Sequence, residues 1–339
     1  MKIEKTDKFL LYYPLVLYGL AFLYVFATNR FNQENWLRTD ADLFSFLTFA
    51  LLGNFAHNFL SFWQLLRIEE FKNWSSEYRF YKLNIWQITF AIFIFFLLIS
   101  VYILPSGFNL MYKNLSIYSI EGVTFVILLA INTYHNLGQT KGIGISLTHR
   151  LAKDVPTTTK DNISQKEKIF FNLLMLDWCV FVLYTIFLKD FFYTQYLCIR
   201  SILSIYLFFN LYRSYKDLPL ELRRLKFLYQ SRNLYRVFLG FHPAVVYFAF
   251  AIHGMDAITV YWRAILNTKS ATSKFKLKIE YISLFFILGL SSYILKTSDL
   301  NSAPFYKLVS ATLLTHYVIE GFMYRMANST TKHYISKLL

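Results

Sequence analysis

The chain is poor in cysteine, in charge and in the glycine signatures of nucleotide enzymes. Only two cysteines occur, Cys179 and Cys198, each inside an apolar run. A disulfide framework or a thiolate metal site needs more of them at closer spacing, so both are excluded. Charged residues make up 16% of the 339 positions, whereas a soluble domain carries about 25%. No P-loop, dinucleotide fingerprint, HExxH or GxSxG is present. The run GQTKGIG, residues 138–144, resembles a phosphate loop in composition only, for it lacks the GK[ST] ending and a preceding strand. Histidine boxes of the HxxxH or HxxHH kind are also missing, and no internal repeat divides the chain. One domain over residues 1–339 is expected.

What the chain does have is apolar length. Hydrophobic residues are 56% of it and aromatics 20%, and roughly 20 consecutive apolar residues suffice for a helix to cross a bilayer. Runs of that kind point to an all-α, polytopic transmembrane bundle of eight to ten spans. Nine are expected, near 9–28, 41–66, 84–104, 115–137, 168–188, 191–213, 238–266, 279–295 and 304–324. The first follows Lys2, Lys5 and Lys8 and is too long for a signal peptide. The net charge of +15 sits in the connectors, which points to the lipid bilayer as partner rather than to nucleic acid. Connectors on the N-terminal side hold 20 Lys and Arg against 4 on the other, so the N-terminus is expected in the cytoplasm. Lys269, Lys274, Lys276 and Lys278 disagree with a simple nine-span count. The longest polar connector is expected over 138–168, and Leu218–Leu239 reads either as an interfacial amphipathic helix or as a solvated connector with aromatic anchors.

Ionisable groups within hydrocarbon are costly, and so they mark sites. Four histidines fall in spans, each with a polar neighbour one helical turn along. His57 has Asn54 and Asn58, His135 has Asn132 and Gln139, His253 has Asp256, and His316 has Glu320. Spacings of three and four put such pairs on one helix face. Imidazole and carboxylate together suit iron, zinc or copper, the carboxylate completing the shell or moving protons. The expected metal ligands are therefore His57, His135, His253 and His316, with Asp256, Glu320 and Gln139 as catalytic partners. His242 ranks below them beside Pro243, and His149 and His333 read as solvated. Asp177 and Arg200 lie at similar depth on consecutive spans, and a structural ion pair is expected there.

The segment FHPAVVYFAFAIHGMDAITVYWR resembles the proline-then-histidine membrane segment of Brp/Blh-type carotene-cleaving dioxygenases. That resemblance covers one span and implies membrane histidines that hold iron. The glycine-proline-histidine motif of that family is missing here, so its substrate does not carry over. AHNFLSFW, YHNLGQTKGIG, IHGMD and THYVIEGFMYR together resemble multi-pass bacterial membrane proteins, which implies the inner membrane of a bacterium. The expected function is a membrane oxygenase or oxidase, with iron as cofactor, an apolar or lipid-like substrate and a redox partner. A transporter with a buried proton or solute path and a haem-binding electron carrier are the alternatives.

Overall fold

The computed structural model describes residues 54–102, 120–187, 192–231, 233, 245–268, 271–297, 303–325 and 328–335, with Lys8, Tyr12 and Val16. The span expected at 9–28, apart from Tyr12 and Val16, residues 41–53 and His242 lie outside the described structure. Helix dominates what is described. Contacts divide the chain into two compact units.

The first unit contains the end of α4 (Ile120–Leu151), then α5 (Thr157–Phe187), α6 (Tyr193–Ser214), α7 (Leu220–Ser231) and the first half of α8 (Val245–Asn267). The polar connector expected over 138–168 is mostly helix. Nothing in GQTKGIGISLTHR stops α4 until Leu151, and α5 starts directly after Pro156, where a fixed φ suits a helix entry. The α5–α6 hairpin carries the expected ion pair. Arg200 donates to Asp177 through Nε at 2.8 Å and Nη2 at 2.7 Å, and its guanidinium lies 4.2 Å from the Phe181 ring centre.

The amphipathic helix expected from Leu218 is α7, and a lysine belongs to its buried face together with Leu222, Leu225, Tyr229 and Gln230. Lys226 Nζ lies 2.7 Å from Glu167 Oε1 and donates to the Gly144 carbonyl at 3.1 Å and to Thr148 Oγ1. Tyr215 donates to the same Glu167 oxygen at 2.7 Å. Burial pulls the Lys226 ammonium below its ordinary range, and the Glu167 carboxylate pushes it back up. Burial, then the same carboxylate, holds the Tyr215 phenol well above its ordinary value. Gly144 permits this approach, since a Cβ there would stand 2.8 Å from Gln230 Nε2.

The second unit contains α1 (Asn54–Arg67), α2 (Glu69–Glu77), a β1–β2 hairpin (Arg79–Phe80 and Leu83–Asn84) and α3 (Ile85–Tyr102). It also takes in the first part of α4, the end of α8, α9 (Ala271–Thr297), α10 (Ala303–Met323) and α11 (Ser329–Ile335). The hairpin turns at Tyr81 and Lys82, both with positive φ. Asn84 then opens α3 with a reciprocal cap: its Oδ1 accepts from Gln87 N–H, and its own N–H reaches Gln87 Oε1, each at 2.9 Å. Helix α3 packs along α10.

The spans expected at 84–104, 168–188, 191–213, 279–295 and 304–324 are helices. Among the described residues, however, no helix is long and apolar enough to cross a membrane. Charge interrupts several: Lys274, Lys276, Lys278 and Glu280 lie inside α9 rather than in a connector, and Asp177 and Arg200 inside α5 and α6. The surface is nonetheless rich in large apolar side chains. On α5, Ile169, Leu173, Leu176, Val180 and Leu183 form an exposed stripe at steps of four and three. Ile199, Ile202, Leu203, Tyr206 and Phe209 repeat this on α6, as do Phe275, Ile279, Ile282, Phe286 and Leu290 on α9.

Candidate metal centre

Three helices of the second unit, α1, α4 and α10, bring His57, His135, His316 and Glu320 together, and all four are buried. Glu320 follows His316 by one turn, so both project from one face of α10, with Nδ1 and Oε1 3.6 Å apart. His57 presents Nε2 to His316 Nε2 at 3.1 Å, and His135 presents Nε2 to Glu320 Oε2 at 3.4 Å. Two donors held by one ion at about 2.1 Å, and 90–109° apart at the metal, lie roughly 3.0–3.4 Å from each other. Both separations match that. Ligand atoms of His135, His316 and Glu320 all lie within 4.8 Å of one another. Within this unit, the buried group of His135, His316 and Glu320 could hold a metal ion.

Hydrogen bonds orient the rings for that task. His135 Nδ1 lies 3.2 Å from the Tyr317 carbonyl oxygen. A carbonyl only accepts, so Nδ1 carries the proton and the Nε2 lone pair faces Glu320. His316 Nδ1 lies 2.8 Å from Ser61 Oγ. With its proton on Nδ1, His316 likewise directs the Nε2 lone pair towards His57.

Three donors surround the Glu320 carboxylate. Tyr261, on α8, donates to Oε1, as does Ser61 at 3.1 Å, while Gln139 Nε2 donates to Oε2 at 3.3 Å and to Tyr324 Oη at 3.4 Å. The Ser61 and Tyr261 hydroxyl oxygens lie 2.7 Å apart, so the one Ser61 proton is shared among Tyr261, Glu320 and the His57 carbonyl. Such charge-assisted bonds offset part of the cost of burying the carboxylate.

Of the residues singled out from sequence, His57, His135, His316, Glu320 and Gln139 meet in this unit. There His57 meets His316, and Gln139 donates to Glu320. His253 and Asp256 belong to the first unit and are buried on α8, 4% and 1% exposed. His333 is exposed as expected, and His149 is half-buried. Sequence reasoning passed over Ser61, Tyr261, Tyr317 and Tyr324. One signal was available, since Ser61 lies four residues after His57 and Tyr324 four after Glu320. Comparison with family models, with curated proteins and with solved structures gives no match.

Proposed function

We propose that the chain is a membrane-embedded, metal-dependent oxidoreductase, an oxygenase or oxidase acting on an apolar, lipid-like substrate. The observation that carries this reading is the buried set His57, His135, His316 and Glu320, with two rings already oriented through their second nitrogens. Two histidines and one carboxylate are the donors of non-haem iron(II) oxygenases, and His135, His316 and Glu320 supply them. Bound iron would supply dioxygen and redox chemistry, and a redox partner would supply electrons. The protein's own part is to keep water out and to hold the donors in place.

Embedding in a bilayer is supported by how the side chains are distributed. Large apolar residues line the outer faces of α5, α6 and α9, while His, Glu, Gln, Ser and Thr are buried. An exposed apolar area of this extent marks contact with lipid or protein. In hydrocarbon those stripes are solvated, and several buried polar groups bond one another, as Ser61, Tyr261 and Gln139 do with Glu320. The N-terminal side of the chain is then cytoplasmic, as the basic connectors indicate.

The haem alternative fits the centre less well. Axial nitrogens on one haem iron stand about 4 Å apart with the macrocycle between them. The Nε2 atoms of His57 and His316 are 3.1 Å apart, ring to ring.

Metal analysis of the full chain, purified in detergent without chelators, tests the proposal. About one iron per chain is expected in the parent protein, falling to below a tenth in His316→Ala. Metal-free parent protein would overturn it, as would equal metal in the variant.

A further inference from the structure

Helix α9 grades from charged to apolar along its length, and the second unit sets an aromatic band at the change. Its first turns carry Lys274, Lys276 and Lys278 against one acid, Glu280. Arg67 of α1 takes up that acid, donating through Nε to Oε2 at 2.8 Å and through Nη2 to Oε1 at 2.6 Å. That pair cancels, so the three lysines leave this end of α9 net positive. Tyr281 follows, its ring centre 5.6 Å from that of Trp63 and 5.8 Å from that of Trp262. Lys278 Nζ lies 6.0 Å from the Trp262 ring centre. Beyond this band the outer face is apolar, with Ile282, Phe286, Ile287 and Leu290 exposed. Phe275 and Ile279, also exposed, put apolar surface beside the lysines.

We propose that this end of α9 is a binding site for the headgroup phosphate of an anionic phospholipid. The inference rests on the membrane reading above, which supplies the bilayer. Along a helix near the bilayer normal, Lys274 to Lys278 cover about 6 Å of rise. The headgroup layer of one leaflet is about 5–8 Å deep, so all three ammoniums fit within it. Trp and Tyr gather where headgroups meet hydrocarbon, which is the level of Trp63, Trp262 and Tyr281. The lysine stems lie along apolar surface while their ammoniums reach the phosphates. A zwitterionic headgroup has no net charge to offer them, and each lysine adds about a fivefold preference for an anionic surface. An acidic protein segment would match the charge but not the apolar face that continues below it.

Lipid retention reads the site directly. The full chain, purified in detergent, is mixed with equal amounts of phosphatidylglycerol and phosphatidylcholine, and bound lipids are counted by native mass spectrometry. One variant combines Lys274→Gln, Lys276→Gln and Lys278→Gln. A second combines Lys153→Gln, Lys166→Gln and Lys168→Gln, removing the same charge from exposed positions of the first unit. The parent and the second variant are expected to favour phosphatidylglycerol by at least about tenfold, and the first variant to lose most of that preference. Parental preference in the first variant, or an equal loss in the second, would overturn the site. Equal retention of both lipids by the parent would also overturn it, while leaving the membrane reading standing. A parent chain that stays dispersed without detergent and holds neither lipid would overturn both.

Discussion

Glu320→Gln is expected to empty the metal centre while leaving the helices in place. The substitution keeps the shape of the side chain and removes its charge. Gln139 Nε2, a donor, faces Oε2, so the new carbonyl oxygen must turn that way. The new amide nitrogen then faces Ser61 and Tyr261, whose hydroxyls can rotate to accept it. The groups that face this side chain keep partners, and the fold is expected to survive. What disappears is the anionic ligand beside the imidazoles of His57, His135 and His316. Bound metal is expected to fall from about one equivalent to below a tenth, with helical content unchanged by circular dichroism. Retention of parent-level metal in this variant would remove Glu320 from the ligand set.

Lys226→Met is expected to be among the most damaging single changes in the first unit. It leaves the Glu167 carboxylate buried, with Tyr215 and Gln230 donating to it and no cation. Breaking one side of a buried pair typically costs about 3–5 kcal/mol, most of it from the charge left behind. A fall in melting temperature on the order of 10 °C follows for a unit of this size. If the stranded charge is the cause, adding Glu167→Gln should recover most of the loss, since the glutamine can still accept from Tyr215. A double variant as unstable as the single one would assign the cost to lost packing of the lysine stem instead.

Much of this was legible in the sequence because it follows from periodicity. The apolar runs place α3, α6, α9 and α10 within a few residues, apart from the early start of α9. Depth counting along consecutive helices paired Asp177 with Arg200. The spacing from His316 to Glu320 put both on one face. What periodicity misses is polar helix. Residues 138–151 read as a connector because Gln139, Thr140, Lys141, Ser146 and Thr148 break the apolar run. In the fold several of these are buried and bonded, Thr148 to Lys226 and Gln139 to Glu320, which no one-dimensional hydropathy can register. Ser61 and Tyr261 were missed for a related reason. Serine and tyrosine are unremarked in apolar helices, and their role arises only from what α10 places beside them.

X-ray absorption at the metal edge of the iron-loaded, detergent-purified chain tests the central claim most directly. The expected first shell contains only nitrogen and oxygen at about 2.0–2.2 Å, with the outer-shell scattering of at least two imidazole rings. Loss of one ring's contribution in His135→Ala or His316→Ala should follow. A shell of oxygen alone, or imidazole scattering unchanged when either histidine is removed, would contradict a metal centre built on His57, His135, His316 and Glu320.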